Sequence, residues 1–309
     1  MYVGVDVGGT NLAVCLVTPD AVIAEKTTRP TLPERDPEAI VADIRDMIRQ
    51  VSRECASDIR SVGVGIPGVV DNKAGRVIHT ANMPFDDLPL IDMLAWDGPV
   101  FLENDANAAA LGEYRSGAAQ GVSSMVMVTL GTGIGGGFIL GGRIVAGVGG
   151  AAAEVGHMTV NPGGLTCSCG RRGCWEMYAS ARALISMTAD ALRANPDSLI
   201  LQCLHGNPPH ISGRTAFEAA RQGDPSARAV VETYIDWLAE GLLNIIALLQ
   251  PEILCIGGGI SGEGEGLMAP LRERVGKRRF CGGILQTEIR KAALGNDAGL
   301  IGAALLGNQ

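Results

Sequence analysis

The stretch at residues 3–14, "VGVDVGGTNLAV", decides the fold. Its apolar start is typical of a buried strand, and its paired glycines predict a tight turn into a second strand. The apolar pattern therefore predicts that the chain opens as a meander of three strands at residues 2–7, 12–17 and 21–27.

The same pattern restarts near the middle of the chain. Residues 124–140, "SMVMVTLGTGIGGGFIL", again predict a strand, a glycine turn and a strand, with Gly131 aligned on Gly8 and Thr129 on Asp6. Two hairpins of this kind indicate a duplicated α/β unit. The other predicted elements are a helix opened by Asp36 and Pro37, a strand in 61–70 that ends in a Gly/Pro turn, a strand at 100–105 that runs into a helix at 106–116, a helix at about 227–250, a strand in 252–261 that runs into a glycine turn, and a last helix capped by Asp297.

Composition narrows the class of protein. The 309 residues are 47% hydrophobic and 19% charged, which is typical of a globular chain. A net charge of −8 without a basic run argues against nucleic-acid binding, which depends on lysine and arginine. The apolar segments are shorter than a membrane span, and no signal peptide is recognisable at the start. We therefore expect a cytoplasmic protein without a nucleic-acid or membrane partner.

The glycine turns are candidate phosphate-binding sites. The chain has no P-loop motif. Gly131, Gly133 and Gly136 match the bare dinucleotide pattern, with Glu154 downstream, but a β-like segment follows where that pattern requires a helix. Backbone N–H groups of turns between strands also bind phosphate. Each turn alone is equally compatible with a plain hairpin; the two similar turns and a third at 257–259 favour nucleotide binding.

Side chains beside the turns extend this interpretation. Thr10 and Thr132 offer hydroxyl donors to a phosphate. Asp6, at the end of a buried strand, offers a carboxylate to Mg²⁺ or to its bound water. The candidate nucleotide-binding residues are Asp6, Gly8, Gly9, Thr10, Asn11, Gly131, Thr132, Gly133, Gly258 and Gly259.

A cysteine cluster follows the second hairpin, in "HMTVNPGGLTCSCGRRGCWE" at 157–176. Clustered cysteines in a reducing compartment are more often metal ligands than disulfides, and the redox spacing Cys-x-x-Cys is absent here. His157, Cys167, Cys169 and Cys174 form a set that suits tetrahedral zinc. Four protein ligands leave no open position, so the predicted Zn²⁺ site is structural. A metal ion that holds this loop together would also direct Glu154, His157 and Glu176 towards one place.

Asp105 stands between a predicted strand and a predicted helix. That position is equally compatible with a general base and with a helix N-cap. Asn104 and Asn82 offer side-chain amides to a ligand, and Gly68 would allow the backbone to approach a ligand closely.

The motifs together resemble the ROK family of sugar kinases. They run in the order of that family from residue 6 to the C-terminus: "DVGGT" at 6–10, "GIPG" at 65–68, "ENDANAAALGE" at 103–113, "LGTGIGGG" at 130–137, "AAAEVGH" at 151–157, "CSCGRRGCWE" at 167–176 and "GGGIS" at 257–261. The resemblance implies an actin/hexokinase-like (ribonuclease H-like) α/β fold of two domains with a cleft between them. It also implies ATP with Mg²⁺ as the donor, a sugar as the acceptor, and a homodimer or homotetramer.

Domain boundaries and residue roles are also implied by the resemblance. We expect a smaller domain at 1–115 plus 296–309, with a returning C-terminal helix, and a larger one at 116–295 that carries the zinc loop 157–176. Asp105 becomes the general base. The implied sugar-binding residues are Gly68, Asn82, Asn104, Asp105, Glu154, His157 and Glu176.

One departure from the family bears on the substrate. ROK glucokinases commonly carry tryptophan where this chain has Phe85. Glucose remains the expected acceptor, with N-acetylmannosamine, N-acetylglucosamine, fructose and allose as alternatives. A sugar-sensing repressor is the alternative from another class; against it, the first predicted strand begins at Tyr2 and leaves no room for a helix-turn-helix. A non-catalytic module is disfavoured because Asp6 and Asp105 are both present.

Overall fold

The computed structural model describes residues 1–80, 83–206, 209–278, 280 and 287–308. The chain divides into two compact units. The first comprises Met1–Met127, Gly137–Ala153 and Ala293–Gln309, and the second comprises Val128–Gly136 and Glu154–Ala292. Within the described ranges, no helix combines the length and the apolar character needed to cross a membrane.

The described chain contains both strands and helices. The strands are β1 (Tyr2–Val7), β2 (Asn11–Val17), β3 (Ile23–Pro30), β4 (Ser61–Ile66), β5 (Val69–Asp71), β6 (Arg76–His79), β7 (Asp86–Leu88), β8 (Val100–Asn104), β9 (Ser124–Leu130), β10 (Ile134–Leu140), β11 (Arg143–Ile144), β12 (Ile253–Gly257) and β13 (Glu288–Lys291). The helices are α1 (Pro37–Val51), α2 (Leu90–Leu94), α3 (Asp105–Ser116), α4 (Glu176–Ala179), α5 (Ala181–Ala194), α6 (Thr215–Arg221), α7 (Pro225–Leu249), α8 (Glu265–Arg278) and α9 (Ala298–Ala304).

The first sheet has the strand order β3-β2-β1-β4-β8. β1 is antiparallel to β2 and parallel to β4, and β4 is parallel to β8. The apolar side chains of β1 and β4 are buried in one core with those of α1. This burial confirms the opening meander and the predicted apolar face of α1, whose buried residues are Ile40, Val41, Ile44, Met47, Ile48 and Val51.

Helix α9 packs on the first sheet with its backbone very close to the strands. A Cβ atom at Gly4 would lie 2.1 Å from the carbonyl oxygen of Leu300, and one at Gly63 would lie 1.8 Å from that of Ala303. Only glycine permits this approach. The two glycines therefore allow α9 to lie directly on β1 and β4.

The second sheet has the strand order β11-β10-β9-β12-β13, in which β12 is parallel to β13. The hairpin expected at 124–140 is present as β9 and β10. A third sheet, with the order β5-β6-β7, is built from short strands between β4 and α2.

Two predicted strand-to-turn transitions are confirmed. In 61–70, β4 ends at Ile66 before the Gly/Pro turn and the short strand β5 follows, and in 252–261, β12 ends at Gly257, where a 3₁₀ turn follows at Gly259–Glu263. Asp297 does not cap α9 with its side chain. A 3₁₀ turn at Gly295–Asp297 precedes that helix, and the Asp297 carboxylate instead accepts a hydrogen bond from Lys26 Nζ at 2.5 Å.

Candidate active site

The junction between β8 and α3 shows which residue caps the helix. Asn104 is the N-cap, because its Oδ1 accepts the backbone N–H groups of Ala106 at 2.9 Å and Asn107 at 3.2 Å. Its Nδ2 donates to the carbonyl oxygen of Gly68 at 3.0 Å. Asp105 is the first residue of the helix, and its Oδ1 also accepts the Ala106 N–H at 2.9 Å. The Asn104 side chain also interacts with the Asp105 carboxylate and lowers the pKa of that group.

Gly68 occupies a position that requires glycine. Its φ is +104°, and a Cβ atom there would lie 2.2 Å from the carbonyl oxygen of His79. The close approach that the sequence predicts at Gly68 is therefore made to the backbone of β6. A contact of Gly68 with sugar stays a prediction, and Asn82 lies outside the described residues.

The Asp105 carboxylate acts electrostatically on Asp6. Burial first, and the Asp105 carboxylate second, raise the pKa of Asp6 to about 6, while Lys26 opposes the shift. Burial also raises the pKa of Asp105, although the Ala106 N–H opposes that shift. A Cβ atom at Gly299 of α9 would lie 3.3 Å from the Asp6 carboxylate. Half-buried carboxylate oxygen of this kind suits Mg²⁺, which prefers oxygen ligands.

The turn between β1 and β2 is held from both sides. The Gly8 N–H donates to the Asn11 carbonyl at 3.0 Å, and the Thr31 N–H donates to the Thr10 carbonyl at 2.9 Å. The Thr31 hydroxyl donates to the Gly8 carbonyl at 2.5 Å. Gly9 completes the turn, and the side chains of Thr10 and Asn11 are exposed. The turn thus has a fixed backbone and presents two polar side chains to solvent.

The turn between β9 and β10 is linked to Glu176. The Gly131 N–H donates to the Gly133 carbonyl at 3.1 Å, and the Ala181 N–H donates to the Gly131 carbonyl at 2.9 Å. A Cβ atom at Gly133 would lie 2.6 Å from Glu176 Oε2. Gly133 therefore leaves room for a carboxylate, a role that the glycine pattern alone did not indicate. Thr132 is exposed at the tip of the turn.

The turn after β12 lies against the end of β9. Gly258 has a φ of +82°, and a Cβ atom there would lie 2.5 Å from both the N and the O atom of Leu130. Around Gly259, by contrast, a Cβ atom would meet open space. The second and third glycine turns of the sequence are thus neighbours in the structure.

The four predicted metal ligands come together. One ligand atom from each of His157, Cys167, Cys169 and Cys174 lies within 4.8 Å of the others. Cys169 Sγ and Cys174 Sγ are 3.6 Å apart, far longer than a disulfide bond. Burial raises the pKa of Cys167 to about 12 and also raises the pKa of Cys174. A set of three thiols and an imidazole fits Zn²⁺, which binds the deprotonated thiols.

The imidazole of His157 faces this cluster through Nδ1. Nδ1 lies 3.6 Å from Cys167 Sγ and 3.8 Å from Glu176 Oε1. The side chain of His157 is 34% exposed, so Nε2 is left for another partner. Glu154 is exposed, and its carbonyl accepts the His157 N–H at 3.1 Å. The structure thus brings His157 next to Glu176, and it holds His157 through the backbone of Glu154.

Trp175 anchors this loop, and sequence reasoning missed its role. Its ring is fully buried and its Nε1 donates to the carbonyl oxygen of Trp237 in α7 at 2.8 Å. A Cβ atom at Gly241 would lie 2.0 Å from the ring. Because Trp175 lies between Cys174 and Glu176, its contact with α7 fixes the position of both a candidate metal ligand and a candidate sugar ligand. An aromatic residue directly after a cysteine ligand was the available signal.

Comparison with known proteins places this arrangement in a family. A sequence model of the ROK family matches residues 2–309. Glucokinase of Thermotoga maritima is 41% identical over 98% of this chain and 95% of its own length. Glucokinase of Streptomyces coelicolor is 38% identical over 100% of this chain and 98% of its own length.

A solved structure supports the same assignment. The ROK family glucokinase from Streptomyces griseus, crystallised in complex with glucose and AMPPNP, superposes with a TM-score of 0.81. It is 40% identical, and the match covers 99% of this chain and 98% of that one. The α/β, actin/hexokinase-like fold class predicted from the sequence is confirmed. This chain belongs to the ROK family.

Proposed function

We propose that this protein is an ATP-dependent sugar kinase whose acceptor is glucose and whose product is glucose 6-phosphate. The observation that carries the proposal is its similarity, over the full length of both chains, to proteins named glucokinase. N-acetylmannosamine, N-acetylglucosamine, fructose and allose are the alternative acceptors that the assay below separates.

Asp105 is the proposed general base. One of its oxygens accepts the Ala106 N–H, which leaves the other to face a sugar hydroxyl. Burial raises the pKa of Asp105, so its carboxylate is a stronger base than an exposed aspartate. The sugar hydroxyl gives its proton to Asp105 while its oxygen forms a bond to the γ-phosphorus of ATP. The bond between that phosphorus and ADP breaks, and ADP leaves.

The proposed sugar ligands come from two parts of the chain. The side-chain amide of Asn104, next to Asp105, is proposed to donate to a hydroxyl, and the backbone at Gly68 and the side chain of Asn82 are proposed as further ligands. Nε2 of His157 and the carboxylates of Glu154 and Glu176 form the other set. Carboxylates and an imidazole suit a sugar because each of its hydroxyls both donates and accepts hydrogen bonds.

The proposed ATP contacts are the three glycine turns. Backbone N–H groups at Gly9, Gly133 and Gly259 and the hydroxyls of Thr10 and Thr132 are donors of the kind that bind phosphate oxygens. The side chain of Asn11 and the turn backbone at Gly8, Gly131 and Gly258 complete the proposed set. Asp6 would hold Mg²⁺ or its water, and the ion when bound neutralises charge on the phosphates.

Zn²⁺ is the proposed structural metal of the loop 157–176, held by His157, Cys167, Cys169 and Cys174. When bound, it would fix the imidazole of His157 while leaving Nε2 for the sugar. The cluster needs thiols that stay reduced, which fits the proposed cytoplasmic setting. A homodimer or homotetramer is proposed from the family resemblance, and sedimentation velocity measures it.

A coupled assay tests the function. ADP release is measured with ATP, Mg²⁺ and each of glucose, mannose, N-acetylmannosamine, N-acetylglucosamine, fructose and allose. We expect ADP release that requires a hexose, with kcat/KM for glucose at least tenfold above that for each other sugar. Faster turnover of another hexose would contradict the substrate, and the absence of hexose-dependent ADP release would contradict the kinase.

A further inference from the structure

Glu103 is a buried carboxylate directly before the Asn104–Asp105 pair. Glu103 is 3% exposed, although it lies one residue before the end of β8, where a charged side chain ordinarily reaches solvent. Three N–H groups donate to it, namely the backbone N–H of Asn104 at 2.9 Å and the side-chain amides of Asn107 at 3.0 Å and Asn72 at 2.8 Å. All three donors are neutral, so this is a hydrogen-bonded anion and not an ion pair.

The two oxygens of this carboxylate have different partners. Oε1 accepts from Asn104 and Asn107, which belong to the cap and the first turn of α3. Oε2 accepts from Asn72, which lies in the turn between β5 and β6. Oδ1 of Asn107 is buried and makes no hydrogen bond among the described residues, so donation to Glu103 orients that amide. Glu103 thus ties a neighbouring turn to the peptide that carries Asp105.

We propose that Glu103 is a positioning residue for phosphoryl transfer and that Asn72 is the partner that holds it in place. The proposal rests on the proposed kinase function. Asn104 is fixed at its N–H by Glu103, at its Oδ1 by α3 and at its Nδ2 by Gly68. This leaves the Asp105 backbone with little freedom, so its carboxylate stays where the sugar hydroxyl arrives.

Variants that exchange the amide and the carboxylate between positions 72 and 103 test this role. Asn72 is exposed, so its substitution disturbs little packing. Asn72→Asp places a second carboxylate at the 2.8 Å contact with Glu103, which drives the two groups apart. We expect kcat for glucose to fall by roughly tenfold to a hundredfold, the scale of a small misplacement of a reacting group, while KM for ATP changes by less than about twofold.

The double variant Asn72→Asp/Glu103→Gln should restore the contact. A glutamine at 103 keeps one oxygen for the Asn104 N–H, and its amide nitrogen donates to the carboxylate introduced at position 72. We expect kcat to recover to within about threefold of wild type. Asn72→Ala is the second variant, because it only removes an exposed amide, and we expect a fall in kcat of roughly fivefold with unchanged KM for ATP.

Glu113→Gln is the matched control for stability. Glu113 lies on α3, the helix that begins at Asp105, is fully buried, and also accepts three N–H groups, those of Ala118 at 2.8 Å, Ala293 at 3.1 Å and Leu294 at 2.8 Å. It belongs to the other end of α3 from Asp105. We expect Glu113→Gln to lower Tm at least as much as Asn72→Asp does, with kcat within about twofold of wild type.

The outcomes separate the two proposals. If wild type phosphorylates glucose but Asn72→Asp and Asn72→Ala keep kcat within about twofold, the positioning role is wrong and the kinase stands. The same holds if Glu113→Gln lowers kcat as much, or if the double variant does not recover. If wild type itself releases no hexose-dependent ADP, the proposed function fails, and the positioning role fails with it.

Discussion

The side-chain amide of Asn104 donates to the carbonyl oxygen of Gly68 over 3.0 Å, while its oxygen caps α3. One side chain therefore joins the turn after β4 to the start of the helix that carries Asp105. Because Gly68 is held at φ +104° against the His79 carbonyl, this turn has little freedom to move. The cap and the turn together define the position of the proposed base.

Asn104→Ser separates the two uses of this side chain. Serine is also a good N-cap, so the free energy of unfolding should fall by less than about 1 kcal/mol. The amide donor to Gly68 and to the sugar is lost, so Kd for glucose should rise by at least about tenfold. Chemical denaturation and calorimetric titration measure the two effects. Unchanged glucose affinity would show that Asn104 is a cap alone.

Gly68→Ala tests the strained turn. The substitution requires a left-handed φ and brings a methyl group against the His79 carbonyl, so we expect a loss of roughly 2–4 kcal/mol in the free energy of unfolding. Gly121→Ala is the control, since Gly121 has a φ of +83° but open space around the Cβ position. It should cost only about 1 kcal/mol. Equal losses in urea titrations would mean that the His79 contact contributes nothing.

The raised pKa of Asp6 makes stability depend on pH. Its pKa rises from 3.8 to about 6 on folding, so folding favours the protonated form. The stabilisation that protonated Asp6 gives to the fold is fully present below about pH 4 and is lost as pH rises through 6. Above that pH, the free energy of unfolding no longer changes with the titration of Asp6. Asp6→Asn should therefore be more stable than wild type above pH 6, by on the order of 2–3 kcal/mol, and should flatten the decline between pH 4 and 6.

Urea denaturation at pH 4 to 8 measures this difference. Asp20→Asn replaces an exposed aspartate and should leave the curve of the free energy of unfolding unchanged. If Asp6→Asn has a lower free energy of unfolding than wild type at pH 8, the charged carboxylate of Asp6 stabilises the fold. The predicted sign would then be wrong.

The cysteine cluster predicts one zinc per chain and a link from metal to sugar. Metal analysis of protein purified without chelator should give about one equivalent. Cys169→Ser should weaken glucose binding at least fivefold, because the freed imidazole of His157 regains rotational freedom and the loop opens. ATP binding should change by less than about twofold, since the predicted ATP contacts do not include Cys169.

Cys55→Ser is the control for this experiment, because Cys55 is a half-buried free cysteine outside the cluster. It should retain both the metal and the glucose KM. If Cys169→Ser keeps the glucose KM within about twofold while losing metal, the zinc only stabilises the fold. If wild type holds no metal and its three clustered thiols titrate freely, the zinc site is wrong.

The grouping of the four candidate metal ligands was predictable because these residues lie close together in sequence. His157 and the three cysteines fall within one loop of 157–176, so spacing and residue type were sufficient. The junction of β8 and α3 was also predictable as a strand followed by a helix. Which of Asn104 and Asp105 caps the helix was not, because both side chains are good N-caps and only their geometry separates them.

Other features depend on contacts between distant residues. Glu103 is buried because Asn72, from a turn 31 residues earlier, donates to it. The polarity of a glutamate alone predicts exposure. Asp297 precedes α9 as a capping residue would, yet it pairs with Lys26, which comes from β3. In both cases a tertiary partner overrides the local preference of the side chain.

The most direct test of the account compares wild type with Asp105→Asn, measuring glucose binding by calorimetry and glucose 6-phosphate formation from ATP. Asparagine keeps the size of the side chain and can still accept the Ala106 N–H, but it cannot take a proton from the sugar. We expect glucose affinity within about threefold of wild type and a kcat lower by about 10²–10⁴. Near-normal turnover by Asp105→Asn would contradict the account.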